Sequence, residues 1–283
     1  MARKSGLPSK LKERRRRLRI FLFISVPVFI VLLVTGAAYL THWSALAVSK
    51  VEVVGASAVS SEALVKSVNE GLSGNHLGFF SKKNIFLYPG RSIEAALLVR
   101  FPRLKRADLS IEDFHTLRLA VEERKLYALW CGAETPQNTN VATSSLAAGC
   151  DFLDENGFIF SPAADFTGSV YMHYYGPYLS SASSTPLGLQ FLPANEFKQL
   201  DAFLRALKPL SLSVVGAGLL SDKDVKILLE HNATLLVARS SDYSGALDNL
   251  RSALSSDVFE KKSIADLEYL DLRFGDHVFY KFR

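Results

Sequence analysis

Residues 267–283 read LEYLDLRFGDHVFYKFR, and their periodicity governs how the rest of the chain is read. Leu270, Leu272 and Phe274 alternate with Asp271 and Arg273; Gly275-Asp276 makes a turn; Val278, Tyr280 and Phe282 alternate with Phe279, Lys281 and Arg283. A period of two marks a strand with one face buried, so the stretch predicts a β-hairpin whose last strand has no later strand in sequence to pair with it. An unpaired strand displays a row of backbone N–H and C=O groups that another chain can extend, with aromatic side chains as the usual anchors. The candidate partner-binding residues are therefore Phe274, Val278, Phe279, Tyr280 and Phe282. The competing reading turns Phe274, Tyr280 and Phe282 into the core of their own sheet, while Phe279, off the Tyr280/Phe282 face, is expected outward.

Upstream, residues 125–283 carry further strand and helix signals. Residues 150–153, the turn Asp154-Glu155-Asn156-Gly157 and residues 158–160 read as strand, turn, strand. Residues 170–175 are another strand candidate, followed by the Ser-rich SSASSTPLG. Asn195 is placed to cap a helix bearing Phe197, Leu200, Phe203, Leu204 and Leu207. Residues 225–229 and 233–237 bracket Glu230-His231-Asn232 as a hairpin, and a helix over about 243–255 presents Leu247, Leu250 and Leu254.

Residues 48–124 form an earlier block. Val51 and Val53 alternate with Glu52 before Gly55; Ser60 or Ser61 caps a helix with Leu64, Val65, Val68 and Leu72 on one face; Ser92 caps a second with Ile93, Ala96 and Leu97, ending before Pro102. Between the helices lies a loop, residues 75–89, with the apolar patch Ile85-Phe86-Leu87. Two alternating strands follow, Ala107/Leu109/Ile111 and Leu117/Leu119/Val121, joined by a turn at Asp113-Phe114-His115-Thr116. The predicted order is strand, helix, helix, strand, strand.

The mean hydropathy of +0.14 is high and points to one unusually apolar segment. Residues 20–41, IFLFISVPVFIVLLVTGAAYLT, are that segment: uncharged, and at ~1.5 Å per residue long enough for the ~30 Å hydrocarbon layer. With His42 and Trp43 as interfacial anchors it predicts a transmembrane helix over residues 20–43. Residues 1–19 hold nine Lys/Arg against Glu13, so this basic tail is expected on the cytoplasmic side and everything after about residue 45 outside. Ala45-Leu46-Ala47 offers a signal-peptidase pattern, but the apolar run exceeds the 7–15 residues of a signal h-region. The rest of the chain holds 24 basic against 27 acidic residues, so the net charge of +5 belongs to the tail and argues against a nucleic-acid groove on the body.

Cys131 and Cys150 bracket a polar, turn-rich loop on the exterior side, where a disulfide is permitted; two free thiols fit the spacing equally. No phosphate-loop, nucleophile-elbow or zinc-helix motif is present, and no cofactor is called for. Gly216-Ala217-Gly218 lacks the third glycine of a dinucleotide loop, and the six histidines are scattered, mostly beside predicted turns. Asp151, Asp154 and Glu155 could hold a cation, although turn propensity explains them without one. These features predict a non-enzymatic chain.

Taken together the sequence resembles the bacterial cell-division family FtsQ/DivIB over nearly its whole length. The layout of basic tail, single span and large exterior part matches. The block beginning VSKVEVVGASAVSSEALV and closing LRLAVEERKLYALW resembles that family's POTRA domain, and the block from FLDENGFIF to LEYLDLRFGDHVFYKF resembles its β domain. The family usually has a proline two residues after the Glu-Arg pair, where this chain has Leu126 after Glu123-Arg124-Lys125. The resemblance implies an α+β architecture: one N-terminal transmembrane helix, a β-α-α-β-β POTRA domain (48–124), and a larger mixed α/β domain on a mainly antiparallel sheet (125–283). It implies an assembly factor of the septal division complex at the cell membrane, joining FtsB-like and FtsL-like partners outside the membrane by strand addition, and other division proteins through the POTRA domain. The family's aromatic contact after its D-L-R motif falls on Phe274, and its later contact falls near Tyr280. The alternatives are a POTRA-bearing transport or outer-membrane assembly component, an anchored hydrolase using the Asp151/Asp154/Glu155 turn, and a cell-wall-binding membrane anchor.

Overall fold

A computed structural model describes residues 9–132, 134, 149–163, 171–179, 185–240 and 242–283. The first eight residues of the basic tail and nearly all of the cysteine-bracketed loop lie outside the described residues, as do Val170 and most of the Ser-rich segment. The basic run and the apolar run form one helix, α1 (Ser9–Thr41), with Pro27 inside it. Its segment Arg14–Thr41 is long and apolar enough to cross a membrane, and its apolar side chains are exposed along the length, as lipid-facing residues would be. Proline is accommodated within such a helix because neighbouring groups can cover the gap it leaves.

The chain divides into two compact units, residues 1–98 with 106–122 and residues 99–105 with 123–283. In the first, the order is β1 (Lys50–Val54), α2 (Ser61–Gly71), a small hairpin of β2 (Asn75–His76) and β3 (Phe80–Ser81), α3 (Gly90–Arg100), β4 (Leu104–Ile111) and β5 (Thr116–Glu123). The sheet order is β1-β5-β4, with β1 parallel to β5. The hairpin of β2 and β3 lies in the segment expected to be an irregular loop. Ser60 caps α2, accepting the N–H of Ala63. Ser92 does not cap α3: the helix starts two residues earlier, with the Pro89 carbonyl taking the Ile93 N–H at 3.0 Å. Leu64, Val68, Ile93, Leu97, Leu117 and Leu119 are buried. Gly55 ends β1 with φ +90°, and a Cβ there would collide with the Val121 carbonyl oxygen. The glycine closing the V-x-V-x-G start thus lets β1 turn away directly over β5.

The second unit is a nine-stranded sheet with helices interleaved: β6 (Ala128–Trp130), β7 (Asp151–Leu153), β8 (Ile159–Pro162), β9 (His173–Tyr175), α4 (Ala194–Leu207), β10 (Val214–Leu219), β11 (Asp224–Leu229), β12 (Thr234–Ala238), α5 (Ser244–Leu254), α6 (Asp257–Lys261), β13 (Leu267–Phe274) and β14 (His277–Phe282). Its order is β14-β13-β12-β11-β10-β9-β6-β7-β8. Five of the eight pairings are antiparallel, and three are parallel: β6 with β9, β9 with β10, and β12 with β13. Antiparallel pairing predominates, and the three parallel pairings make the sheet mixed. A parallel pairing needs a crossover, and α4 supplies it between β9 and β10, as α5 and α6 do between β12 and β13.

The apolar face of α4, with Leu250 of α5 and Phe259 of α6, packs into one core with Ala217, Val225, Ile227, Leu235, Val237 and Leu270 of the sheet. Asn195 is not the cap of α4, because the helix begins at Ala194 behind Pro193. His173 departs from the expectation of solvated histidines: it is buried in β9, and burial pushes its imidazole below the ordinary value. The G-x-G pair lies in mid-strand in β10, where a Cβ on Gly216 would press on the His173 carbonyl at 3.0 Å. Close strand approach explains that glycine. Cys131 and Cys150 are joined, one residue beyond the Trp130–Asp151 pairing that ends the β6–β7 ladder.

Candidate functional site

The predicted terminal hairpin is present, and its last strand is an edge. Pairings Tyr269–Lys281, Leu270–Tyr280 and Asp271–Phe279 set the β13–β14 register, with irregularities on either side, and β14 terminates the sheet order. Among the described residues no strand lies on its outer side. In such a strand alternate backbone N–H and C=O groups point away from the sheet, unpaired. The Asn249 amide of α5 donates to the Gly275 carbonyl at 2.6 Å and pins the turn. The Arg283 N–H donates to the Asp266 carbonyl at 2.9 Å and holds the strand's other end.

The five candidate residues do not form one patch. Val278 and Phe282 are partly buried against the core. Phe282 and Tyr280 lie with ring centroids 5.2 and 5.1 Å from that of Phe259 in α6. Tyr280 still keeps 40% of its surface exposed. Phe279 points to the opposite face, where its ring meets that of Phe274 edge-on at 5.3 Å. Phe274 is 55% exposed and Phe279 51%, so neither belongs to the core. The edge thus offers an exposed Phe pair on one face and a half-covered Tyr on the other.

Behind the Phe pair lies a charge cluster that the strand pattern did not single out. Asp271 is buried, and Arg273 closes on it at 2.6 Å while reaching Asp224 of β11 at 3.1 Å. Burial opposes ionisation of Asp271, but the hydrogen bonds and charge of Arg273 outweigh it and hold the carboxyl below its ordinary value. The Arg273 guanidinium also lies over the Phe274 ring at 5.6 Å. The signal was present in sequence: Asp271 and Arg273 are two apart in a strand and so share a face.

The far edge of the same sheet is closed. β8 is four residues long and ends in Pro162, which has no N–H to offer. Residues 188–191 lie along it, with the Ile159 N–H donating to Leu189 at 2.9 Å and the Gly188 N–H donating to Ile159 at 2.8 Å. The two ends of one sheet therefore differ in access.

Among the described residues no group of three His, Cys, Asp or Glu side chains could hold a metal. The carboxylate of Asp154 is taken by Arg124 at 2.5 Å and by the N–H groups of Asn156 and Phe158, and Glu155 pairs with Lys105 at 3.0 Å. A cleft of about 430 Å³ is lined by Tyr127, Asp201, Arg205 and Leu212 among others. Asp201 there already accepts from the hydroxyls of Tyr127 and Tyr174 and pairs with Arg205 at 2.9 Å. Burial raises the Asp201 carboxyl above its ordinary value, and burial with the neighbouring Asp201 raises the Tyr174 phenol. Both groups are occupied by the fold. No protein-family model matches this chain, and no curated protein sequence matches it either.

Proposed function

We propose that this chain is a non-enzymatic assembly protein of the bacterial septal division complex, of the FtsQ/DivIB type. In this reading α1 is its single membrane span, touching lipid together with the basic tail, which stays cytoplasmic. Residues 48–124 act as a POTRA-type domain that meets other division proteins, and residues 125–283 act as the β domain. Outside the membrane the β domain binds FtsB-like and FtsL-like partners. It does so by adding a partner strand to β14, and the protein works at the septum without cofactor or nucleic acid.

One observation carries the reading. Of the sheet's two ends, β8 is short, proline-terminated and covered, whereas β14 is six residues long and has no strand on its outer side among the described residues. Soluble domains usually blunt a bare edge, so a long uncovered one flanked by exposed aromatics suits a strand-donating partner. Exposed Lys281, paired with Glu268 at 2.6 Å, would discourage indiscriminate pairing while leaving the backbone free.

The test is capture of the full chain, in detergent, by the exterior segments of the FtsB-like and FtsL-like proteins of the same cell. Phe274→Ala with Phe279→Ala should weaken capture by about 30-fold, the ~2 kcal/mol expected of an interface anchor. Undiminished capture would move the binding surface away from β14. Absence of capture by the unaltered chain would leave the transport and cell-wall readings.

A further inference from the structure

We propose that the end of the first unit next to α1 is a second membrane contact, seated in the headgroup layer of the outer leaflet through Leu77, Phe79, Phe86 and Phe114. The inference rests on α1 being a membrane span.

The hairpin of β2 and β3 is tied to the last turn of that helix. The Ser81 N–H donates to the Thr41 hydroxyl at 3.2 Å, the Asn84 amide donates to the Thr41 carbonyl at 3.3 Å, and the His42 ring lies 3.1 Å from the Phe79 carbonyl. The neighbouring turn is tied to the chain just beyond: the Ser49 N–H donates to the His115 carbonyl at 2.8 Å. These bonds fix residues 76–87 and 113–115 at the level where the span ends, so their exposed side chains meet lipid headgroups rather than bulk water.

Those side chains are apolar. Leu77 is 86% exposed, Phe79 64%, Phe86 65% and Phe114 68%. A soluble surface gains nothing from four large apolar groups clustered at one end, whereas the membrane–water boundary favours aromatic and aliphatic side chains with basic neighbours. Lys82 and Lys83 follow the hairpin directly and can reach phosphate groups. Trp43, exposed at the end of α1, continues the same belt.

Backbone strain gives an independent sign. The hairpin turn places Leu77 at φ +50° and Gly78 at φ +82°, and the Phe79 N–H donates to the His76 carbonyl at 3.1 Å. A turn with both central residues left-handed favours Asn or Gly at its first position. A strained leucine at a fully accessible tip contributes nothing to the unit's own core. Insertion into lipid would give it a purpose.

The test uses the full chain reconstituted in phosphatidylethanolamine–phosphatidylglycerol vesicles. Cys131 and Cys150 are joined, so one introduced cysteine can carry an environment-sensitive fluorophore. Probes at Leu77→Cys, Phe86→Cys and Phe114→Cys are compared with Ile30→Cys inside α1 and Glu62→Cys in the first turn of α2. The expected result is a blue-shifted emission at the first three, quenched more strongly by lipids spin-labelled near the headgroup than by lipids labelled deep in the chain. Ile30 should show the reverse preference, and Glu62 no quenching. If Ile30 is quenched while positions 77, 86 and 114 emit as in water, the span stands and the proposal is overturned. Blue-shifted probes that no spin-labelled lipid quenches would also overturn it, indicating cover by protein. If Ile30 itself is unquenched, the span reading fails and takes the proposal with it.

Discussion

Asp154 shows how a residue that suggests ligand chemistry in sequence can be used up by the fold. It is buried, held by Arg124 at 2.5 Å and by two backbone N–H groups, while the Arg124 guanidinium lies 3.9 Å over the Phe158 ring. Removing one member of a buried pair strands the other, so Asp154→Ala is expected to destabilise the second unit by about 3 kcal/mol, read from the urea midpoint. Asp154→Asn keeps an acceptor for the backbone and should cost less. Trp130 reports on this unit, and a Trp43→Phe background isolates its fluorescence. Asp271 gives the pH dependence. Its folded carboxyl titrates below the ordinary value of about 3.9, so its stabilising contribution is fully present above that value and is lost as pH falls through the lowered one. Asp271→Asn should therefore lower the urea midpoint at pH 7, and the gap from the unaltered chain should shrink as pH drops from 5 to below 3. A gap independent of pH would mean that Asp271 contributes only by shape.

At the scale of the element, β14 separates side chains that hold the fold from side chains that are free for another purpose. Val278→Ser and Phe282→Ser remove groups packed on the core and should each cost about 1–3 kcal/mol. Phe274→Ser and Phe279→Ser alter exposed rings and should stay within about 0.5 kcal/mol of the unaltered chain. The same urea titration checks both pairs. If the exposed pair proved as costly as the packed pair, its purpose would be stability rather than docking. This hairpin was legible because a period of two runs on both sides of a Gly-Asp turn; the irregularity between Asp271 and Phe274, which puts Phe274 on the face of Phe279 rather than of Leu270, was not. The parallel pairings of β9 with β10 and β12 with β13 were not legible. A three-residue strand such as His173–Tyr175 carries too little period, and its neighbour β10 joins it only after α4 intervenes. The β2–β3 hairpin stayed hidden for a related reason: its strands are two residues each, and its turn uses Leu77 where sequence rules look for Asn or Gly. Of the candidate site, the hairpin and the outward Phe279 were readable, but the cover that α6 lays over Tyr280 and Phe282 through Phe259 was not.

For the whole molecule, charge distribution and cysteine chemistry give two separate handles on the same topology. Nine basic residues precede the span and Lys50 alone follows it closely, which favours a cytoplasmic tail and exterior units. A disulfide between Cys131 and Cys150 persists in an oxidising exterior compartment and is kept reduced in the cytosol. The bond joins the ends of two paired strands across a separation of 19 residues, and losing it should cost the second unit about 3 kcal/mol. Its oxidation state therefore reports orientation in living cells. In the unaltered chain both thiols should resist maleimide until reductant is added to the unfolded protein. Replacing Arg14, Arg15, Arg16 and Arg17 by Glu brings residues 1–19 from a net +8 to zero, and a growing fraction of chains should then insert the other way. Those chains would carry Cys131 and Cys150 as free thiols, reactive without reductant, and would be shielded from an impermeant maleimide outside the cell. If the altered chain stayed fully oxidised, the four arginines would not be what sets the orientation. If the unaltered chain already showed free thiols, the exterior assignment of both units would fall, and with it the meeting of β14 with partners outside the membrane.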